Sequence, residues 1–112
     1  MVDDTVGIDG ATEFFRALAS PHRVGIVAQL ARGPRCVHEL AAHLTVSQPL
    51  VSQHLRVLRA SGLVRAQRSG KLVSYSLSDP RVGQIVLDTV GRAAARTRGG
   101  DQATATATAT AS

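Results

Sequence analysis

The chain has 112 residues, of which 44% are hydrophobic and 3% aromatic, and its formal net charge is +5. This length allows one domain with a modest core, and the shortage of aromatic residues favours a mainly helical core of Leu, Val, Ile and Ala. No apolar run is long enough to span a bilayer and the first residues are acidic, which excludes a transmembrane helix and a secretory signal and predicts a cytoplasmic protein. The single cysteine, Cys36, excludes an intrachain disulfide and leaves one thiol free.

The basic charge is concentrated in the middle of the chain. Residues 1–45 carry four arginines against five acidic residues, whereas residues 46–78 carry four arginines and one lysine with no acidic residue. A folded segment of one charge sign indicates a polyanionic partner, because each phosphate that it neutralises releases counterions. A basic face that only contacts solvent is the alternative interpretation.

Apolar spacing and capping signals predict two helices near the N-terminus. Residues 1–10 are expected to form a flexible arm, and residues 11–19 have the periodicity of a short amphipathic helix. Ser20 followed by Pro21 is an N-cap with proline at the first helical position, which predicts a second helix over residues 21–31.

The next two helices are predicted to form a helix-turn-helix. A third helix begins near Cys36, and a fourth helix extends from the N-cap Ser47 to Ala60, with Gly62 just beyond its end. The turn between them is only a few residues long. Two helices joined so closely must cross at a steep angle.

A β-hairpin is predicted after the fourth helix. Residues 63–68 and 72–77 alternate apolar and polar side chains on either side of Ser69-Gly70, which is a hairpin signal. The positions expected to face inward are Val64, Ala66, Val73, Tyr75 and Leu77. A hairpin directly behind a helix-turn-helix is a wing.

The last predicted element is a fifth helix that follows the capping pair Asp79-Pro80. Its apolar stripe consists of Val82, Ile85, Val86, Val90 and Ala93. Because a small chain offers this stripe few partners, we expect it to form a homodimer interface together with the first helix. Residues 96–112, rich in Thr and Ala, are expected to be disordered, which leaves residues 11–95 as the DNA-binding and dimerisation domain.

The fourth helix combines many hydrogen-bonding side chains with the absence of carboxylates. With Val51, Leu55 and Leu58 inward, the outer surface carries Gln48, Ser52, Gln53, His54, Arg56 and Arg59. Amide, hydroxyl, imidazole and guanidinium groups can contact base edges or phosphates, whereas phosphate would repel a carboxylate. The pattern predicts binding to double-stranded DNA; a polar face that only keeps the domain soluble is the alternative.

Four stretches carry a family resemblance. The chain contains, in this order, ALASPHRVGIVAQL, RCVHELAAHL, VSQPLVSQHLRVLRASGLV and RSGKLVSYSL. Together they resemble the ArsR/SmtB family of winged helix-turn-helix transcriptional regulators over about residues 11–93. The resemblance implies a mainly α fold of about five helices with a two-stranded wing, and a homodimeric repressor that binds an imperfect inverted repeat of operator DNA. With the outward face of the fourth helix, it gives as DNA-binding residues Ser47, Gln48, Ser52, Gln53, His54, Arg56, Arg68 and Lys71.

The resemblance also implies a candidate metal site, because many family members release DNA when a metal binds. Cys36 and His38 match one family site, and zinc or nickel are the favoured metals, neither being required for folding. Residues two apart on a regular helix point to nearly opposite sides. Chelation by this pair therefore requires that the helix start is unwound, or that further ligands come from another subunit or the N-terminal arm. A buried Cys36 beside a surface His38 without metal is the alternative.

A second family site is expected to be lost. The matching positions are Asp79, Arg81, Arg92 and Ala95, so only the aspartate remains, and Asp79 is already explained as an N-cap. The effector therefore stays open between a metal at Cys36 and His38, oxidation of Cys36, a partner protein and no effector.

Two other function classes deserve comparison. A winged helix that docks another protein would bind DNA weakly and without sequence preference. An enzyme with Cys36 as nucleophile and His38 as base lacks support, because the chain has no glycine-rich phosphate loop and no clustered carboxylates. The protein is therefore predicted not to be an enzyme.

Overall fold

The computed structural model describes residues 4–103, which form five helices and one two-stranded antiparallel sheet. The elements are α1 (Asp4–Leu18), α2 (Pro21–Leu30), α3 (Val37–Leu44), α4 (Gln48–Ala60), β1 (Val64–Ser69), β2 (Leu72–Leu77) and α5 (Pro80–Ala103). This order and composition confirm the predicted mainly α, winged helix-turn-helix fold. Within the described range, none of the helices combines the length and apolarity that crossing a membrane requires.

A single hydrophobic core holds these elements together. The fully buried side chains are Ile26, Val27, Leu40, Val51, Leu55 and Leu58. Helix α2 lies at the centre, since it contacts α1, α3, α4, α5 and β2. Each buried aliphatic side chain contributes about 1.5–3 kcal/mol, so the three from α4 fix which face of that helix points outward.

The predicted helix caps are confirmed. The hydroxyl oxygen of Ser20 accepts a hydrogen bond from the Arg23 amide at 3.3 Å, and that of Ser47 accepts one from the Leu50 amide at 3.3 Å. Helix α4 ends before Gly62, whose φ of +83° is the left-handed conformation that glycine adopts at helix ends.

The turn between α3 and α4 is formed by three residues. Thr45 has φ 57° and ψ 47°, and the amides of both Thr45 and Val46 donate to the carbonyl oxygen of Ala41. Ser47 then begins the capping of α4. The left-handed conformation at Thr45 reverses the chain abruptly, which gives the close connection that the sequence predicted.

The wing follows the predicted pairing with one shift. The register runs from Val64 opposite Leu77 to Ser69 opposite Leu72, so the turn consists of Gly70 and Lys71 and begins one residue later than expected. Only Gly70 of the two has a positive φ, which is typical of hairpin turns with glycine at the first central position.

The inward positions of the wing are only partly as predicted. Val64 and Leu77 are buried, and Val73 and Tyr75 are half-buried, but Ala66 is exposed. The prediction for Ala66 is wrong because β1 extends away from the helices after its first residue. An additional backbone pair joins Arg35, ahead of α3, to Tyr75 through two hydrogen bonds of 3.1 and 2.8 Å.

Both outer helices are longer than predicted. Helix α1 begins at Asp4, so residues 4–10 of the expected flexible arm are helical; an acidic side chain in the first turn favours this start. Helix α5 includes residues 96–103 of the expected disordered tail, since the alanine-rich stretch before them continues the helix without a break. Residues 1–3 of the arm and 104–112 of the tail lie outside the described residues.

Candidate DNA-binding surface and metal pair

Helix α4 presents the predicted polar face to solvent. Val51, Leu55 and Leu58 are buried, and the exposed side chains on the opposite surface are Gln48, Ser52, Gln53, Arg56 and Arg59. Within residues 4–103 none of these five side chains has a hydrogen-bonding partner in the chain. Their donors and acceptors are therefore free for an external ligand.

Ser47 has a structural role as well as the predicted one. Its hydroxyl oxygen accepts the Leu50 amide, and the residue is exposed at the start of α4. A hydroxyl that accepts one hydrogen bond can still donate its own proton. Ser47 can thus cap the helix and donate to a phosphate or a base at the same time.

His54 differs from the rest of the predicted face, because it is half-buried and has a partner. Its Nδ1 lies 3.2 Å from Nη1 of Arg23 on α2, and its ring centre is 5.2 Å from that of His22. Burial, followed by the charges of Arg23 and His22, lowers the pKa of His54 below its ordinary value. Sequence reasoning missed Arg23 and His22, because no local spacing signals a contact across 31 positions.

The wing extends the basic surface beyond α4. Arg68 on β1 and Lys71 in the turn are both exposed, and Arg65 is exposed beside Ser76, with Nε 3.4 Å from its hydroxyl oxygen. Because residues 46–78 contain no acidic residue, α4 and the wing carry positive charge and no carboxylate of their own.

The structure brings Cys36 and His38 together. Cys36 precedes α3 in an extended conformation, with φ −93° and ψ 169°, instead of lying within the helix. Its Sγ is 3.1 Å from Nδ1 of His38. The unwound start that chelation by this pair requires is therefore present, although Cys36 is buried, with 7% of its surface exposed.

Glu39 is a third member of this region that sequence reasoning missed. Its Oε1 accepts the Cys36 amide at 2.9 Å and the Cys36 thiol at 3.2 Å, and these two hydrogen bonds, the amide first, lower the pKa of Glu39. A glutamate three residues after an N-cap is a capping signature, so the spacing from Cys36 could have identified it.

The donor set of the pair suits a borderline metal but is incomplete. Thiolate sulfur and imidazole nitrogen both bind zinc, and on a tetrahedral ion they lie about 3.5 Å apart, close to the separation seen here. Among residues 4–103 there is no group of three or more His, Cys, Asp or Glu side chains that could hold a metal ion. A complete site would need ligands from elsewhere.

Asp79 is engaged within its own segment. Its Oδ1 accepts the Arg81 amide at 3.0 Å, and its Oδ2 accepts Nη2 of Arg81 at 2.9 Å. Hydrogen bonds from the Arg81 side chain, then from its amide, lower the pKa of Asp79. The aspartate thus caps α5 and pairs with the arginine that stands at the neighbouring family position.

Comparisons with known proteins agree with this geometry. The model of the family described as "Bacterial regulatory protein, arsR family" matches residues 20–66, which include α2, α3, α4 and the start of β1. The HTH-type transcriptional repressor SmtB of Mycobacterium tuberculosis (strain ATCC 25618 / H37Rv) is 54% identical over 86 residues, covering 77% of this chain and 64% of the repressor. The alignment therefore spans just under two thirds of that relative.

Two further proteins extend the comparison. A probable mercury resistance operon repressor of Streptomyces lividans is 44% identical over 79 residues, covering 70% of this chain and 63% of the repressor. The crystal structure of the transcriptional regulator HlyU from Vibrio vulnificus CMCP6 superposes with a TM-score of 0.70 at 30% identity, covering 80% of this chain and 93% of that one. The chain belongs to the ArsR family of bacterial regulatory proteins.

Proposed function

We propose that the protein is a sequence-specific DNA-binding transcriptional repressor of the ArsR/SmtB type, which acts on operator DNA in the cytoplasm. The observation that carries this proposal is the exposed face of α4, whose amide, hydroxyl and guanidinium groups have no partner within residues 4–103. The adjoining wing adds positive charge, and no carboxylate interrupts residues 46–78.

The two kinds of side chain have different roles in this proposal. Gln48, Ser52 and Gln53 read base edges in the major groove, where a well-made bidentate pair discriminates by about 1–3 kcal/mol. Arg56, Arg68 and Lys71 contact phosphates, and each such contact steepens the salt dependence of binding by about 0.9 in logarithmic slope. The hydroxyl group of Ser47, at the start of α4, donates to a phosphate or a base.

We propose that the protein binds DNA as a homodimer. Ile85 and Val90 of α5 are 54% and 43% exposed, and Phe15 of α1 is 63% exposed. With Phe14 and Leu18 they border an apolar groove of about 180 Å³, which a second copy of the chain would cover. Two-fold symmetry then places two recognition helices about 34–36 Å apart, one helical turn of DNA, and requires an inverted repeat.

Substitutions on the two parts of the surface test the assigned roles. The probe is the DNA duplex upstream of the protein's own gene, compared with a random duplex of equal length by fluorescence anisotropy over a range of salt concentrations. Gln53→Ala is expected to lower the ratio of the two affinities by about 5-fold to 150-fold, the equivalent of about 1–3 kcal/mol.

Lys71→Ala is the matched control on the wing. It is expected to weaken binding to both duplexes about equally and to lower the salt slope by about one. Equal losses of discrimination in the two variants would contradict the division between base-reading and phosphate-binding residues. Absence of any preference by the unaltered protein would contradict the proposed function itself.

We further propose that Cys36 and His38 hold zinc or nickel. The support is the short separation of Sγ and Nδ1 and the extended backbone at Cys36. The remaining ligands would come from a second copy of the chain. A bound metal would supply a fixed charge at the start of α3, beside Arg35, whose backbone pairs with Tyr75 of the wing.

A further inference from the structure

A cluster of three basic side chains joins α4 to α2 and the end of α1. We call it the His54 clamp, and it consists of His22, Arg23 and His54. Nη1 of Arg23 lies 3.2 Å from Nδ1 of His54, and Nε of Arg23 donates to the carbonyl oxygen of Ala17 at 2.6 Å. One guanidinium therefore connects the last turn of α1 to the middle of the recognition helix.

The chemistry of arginine determines the protonation state of His54. A guanidinium has only donors, so Nδ1 of His54 must accept and cannot carry a proton. The ring is then neutral, with its proton on Nε2. Within residues 4–103, Nε2 has no partner in the chain, so it remains available as a donor next to the exposed Gln53.

Protonation of His54 is incompatible with this arrangement. A proton on Nδ1 would face the Arg23 donor. The new positive charge would also lie beside the charge of Arg23 and near the ring of His22. On helix α1 the Ala17 carbonyl is already used by Arg23, and the charged side chains of Glu13 and Arg16 border the same cavity as Arg23. The ion pairs found in the described residues are Arg16–Glu13 and Arg81–Asp79, so Glu13 is paired with Arg16 and neither Arg23 nor His54 forms an ion pair with a carboxylate there.

We propose that Arg23 is a positioning residue for the recognition surface, and that the His54 clamp makes discrimination between operator and other DNA fall when His54 takes up a proton. This inference rests on the proposed function, because it concerns how α4 is held against its partner. The buried neighbours of His54 on α4 are Val51, Leu55 and Leu58. The contact between Arg23 and His54 lies on one side of these three residues. Its loss would therefore change the orientation of α4 relative to the core.

The direction of the pH effect follows from the lowered pKa. The folded protein binds this proton only below the ordinary value of 6.5, whereas the unfolded chain binds it at about that value. The stabilisation by the clamp is thus fully present above about pH 6.5 and is lost as the pH falls through the folded pKa. One coupled proton changes an equilibrium constant by at most about tenfold per pH unit.

The decisive variant is His54→Asn, which keeps an amide oxygen near the position of Nδ1 and cannot be protonated. The affinities for the duplex upstream of the gene and for a random duplex are measured between about pH 8 and about pH 5. Their ratio is the readout, because a simple gain of positive charge would strengthen both complexes. His43→Asn is the matched control, since this histidine is exposed and lies on α3.

The unaltered protein and His43→Asn are expected to lose discrimination as the pH falls through the lowered pKa of folded His54, which lies below 6.5, by up to about tenfold per pH unit. His54→Asn is expected to keep a constant ratio, and Arg23→Ala to have a low ratio at every pH. If the ratio of the two affinities fell equally at low pH in His54→Asn and in the unaltered protein, the proposal would be overturned.

A measurement without DNA separates this inference from the proposed function. The ¹⁵N shifts of the His54 ring at about pH 7.5 report which nitrogen carries the proton. The His54 clamp requires the neutral ring with its proton on Nε2. A change in Arg23→Ala to the Nδ1–H form or to a charged ring would support the clamp. A proton on Nδ1 in the unaltered protein would overturn the clamp even if DNA binding is sequence-specific. If the unaltered protein prefers no sequence at any pH, the proposed function fails, and the pH-sensitive discrimination fails with it.

Discussion

At the scale of single residues, the backbone at Cys36 determines whether the thiol and His38 can share a ligand. Cys36→Ser removes the sulfur but keeps a side chain that caps helices well, so α3 and the DNA affinity without metal should be unchanged. We expect this variant to lose any effect of zinc or nickel on operator affinity in an anisotropy titration. His43→Ala, on the far end of α3, should retain the effect, and an unchanged metal response in Cys36→Ser would remove Cys36 from the site.

The capping residues could be predicted from the sequence, whereas two contacts of the candidate site could not. Ser20 and Ser47 act within three residues of their partners, and such local chemistry follows directly from the sequence. The proximity of Cys36 and His38 depends on the extended conformation at one residue. The contact between Arg23 and His54 depends on how α2 crosses α4, which only the packed core determines.

At the scale of elements, Gly83 determines how closely α5 packs on the rest of the domain. A Cβ atom there would lie 2.7 Å from Cβ of Ala31 and 2.7 Å from Cδ1 of Leu77. Overpacking costs about 1–3 kcal/mol and outweighs the gain in helix propensity of about 1 kcal/mol. Gly83→Ala should therefore lower the free energy of unfolding by up to about 2 kcal/mol, measured by urea denaturation.

Gly91 is the control on the same helix, because a Cβ atom there would meet nothing within 4 Å. Gly91→Ala should raise the free energy of unfolding by up to about 1 kcal/mol. If both substitutions raised the free energy of unfolding, this would contradict the close packing of α5 against Ala31 and Leu77.

The elements themselves were predictable, but their ends were less so. Periodicity and caps identified all the elements between residues 21 and 80 with shifts of at most about two residues, a normal uncertainty at such ends. The starts and ends that lack a strong signal were misjudged, namely the beginning of α1 and the C-terminal part of α5. The prediction for Ala66 was wrong because the alternation of apolar and polar residues does not show where β1 extends away from the helices.

At the scale of the whole molecule, the exposed apolar groove between α1 and α5 predicts the oligomeric state. Ile85→Glu places a charge in this groove, and a buried unpaired charge is strongly unfavourable. We expect the unaltered protein to sediment as a dimer and Ile85→Glu as a monomer. Leu72→Glu is the control, because Leu72 is 55% exposed but lies on the wing; a dimer that persists in Ile85→Glu would place the interface elsewhere.

Selection of bound sequences from a pool of random duplex DNA tests most directly the claim that two copies of the α4 face read an operator. We expect an enriched inverted repeat whose two halves are about one helical turn apart, about 10–10.5 base pairs from centre to centre. Enrichment of no common motif, or of a single unrepeated half-site, would contradict it.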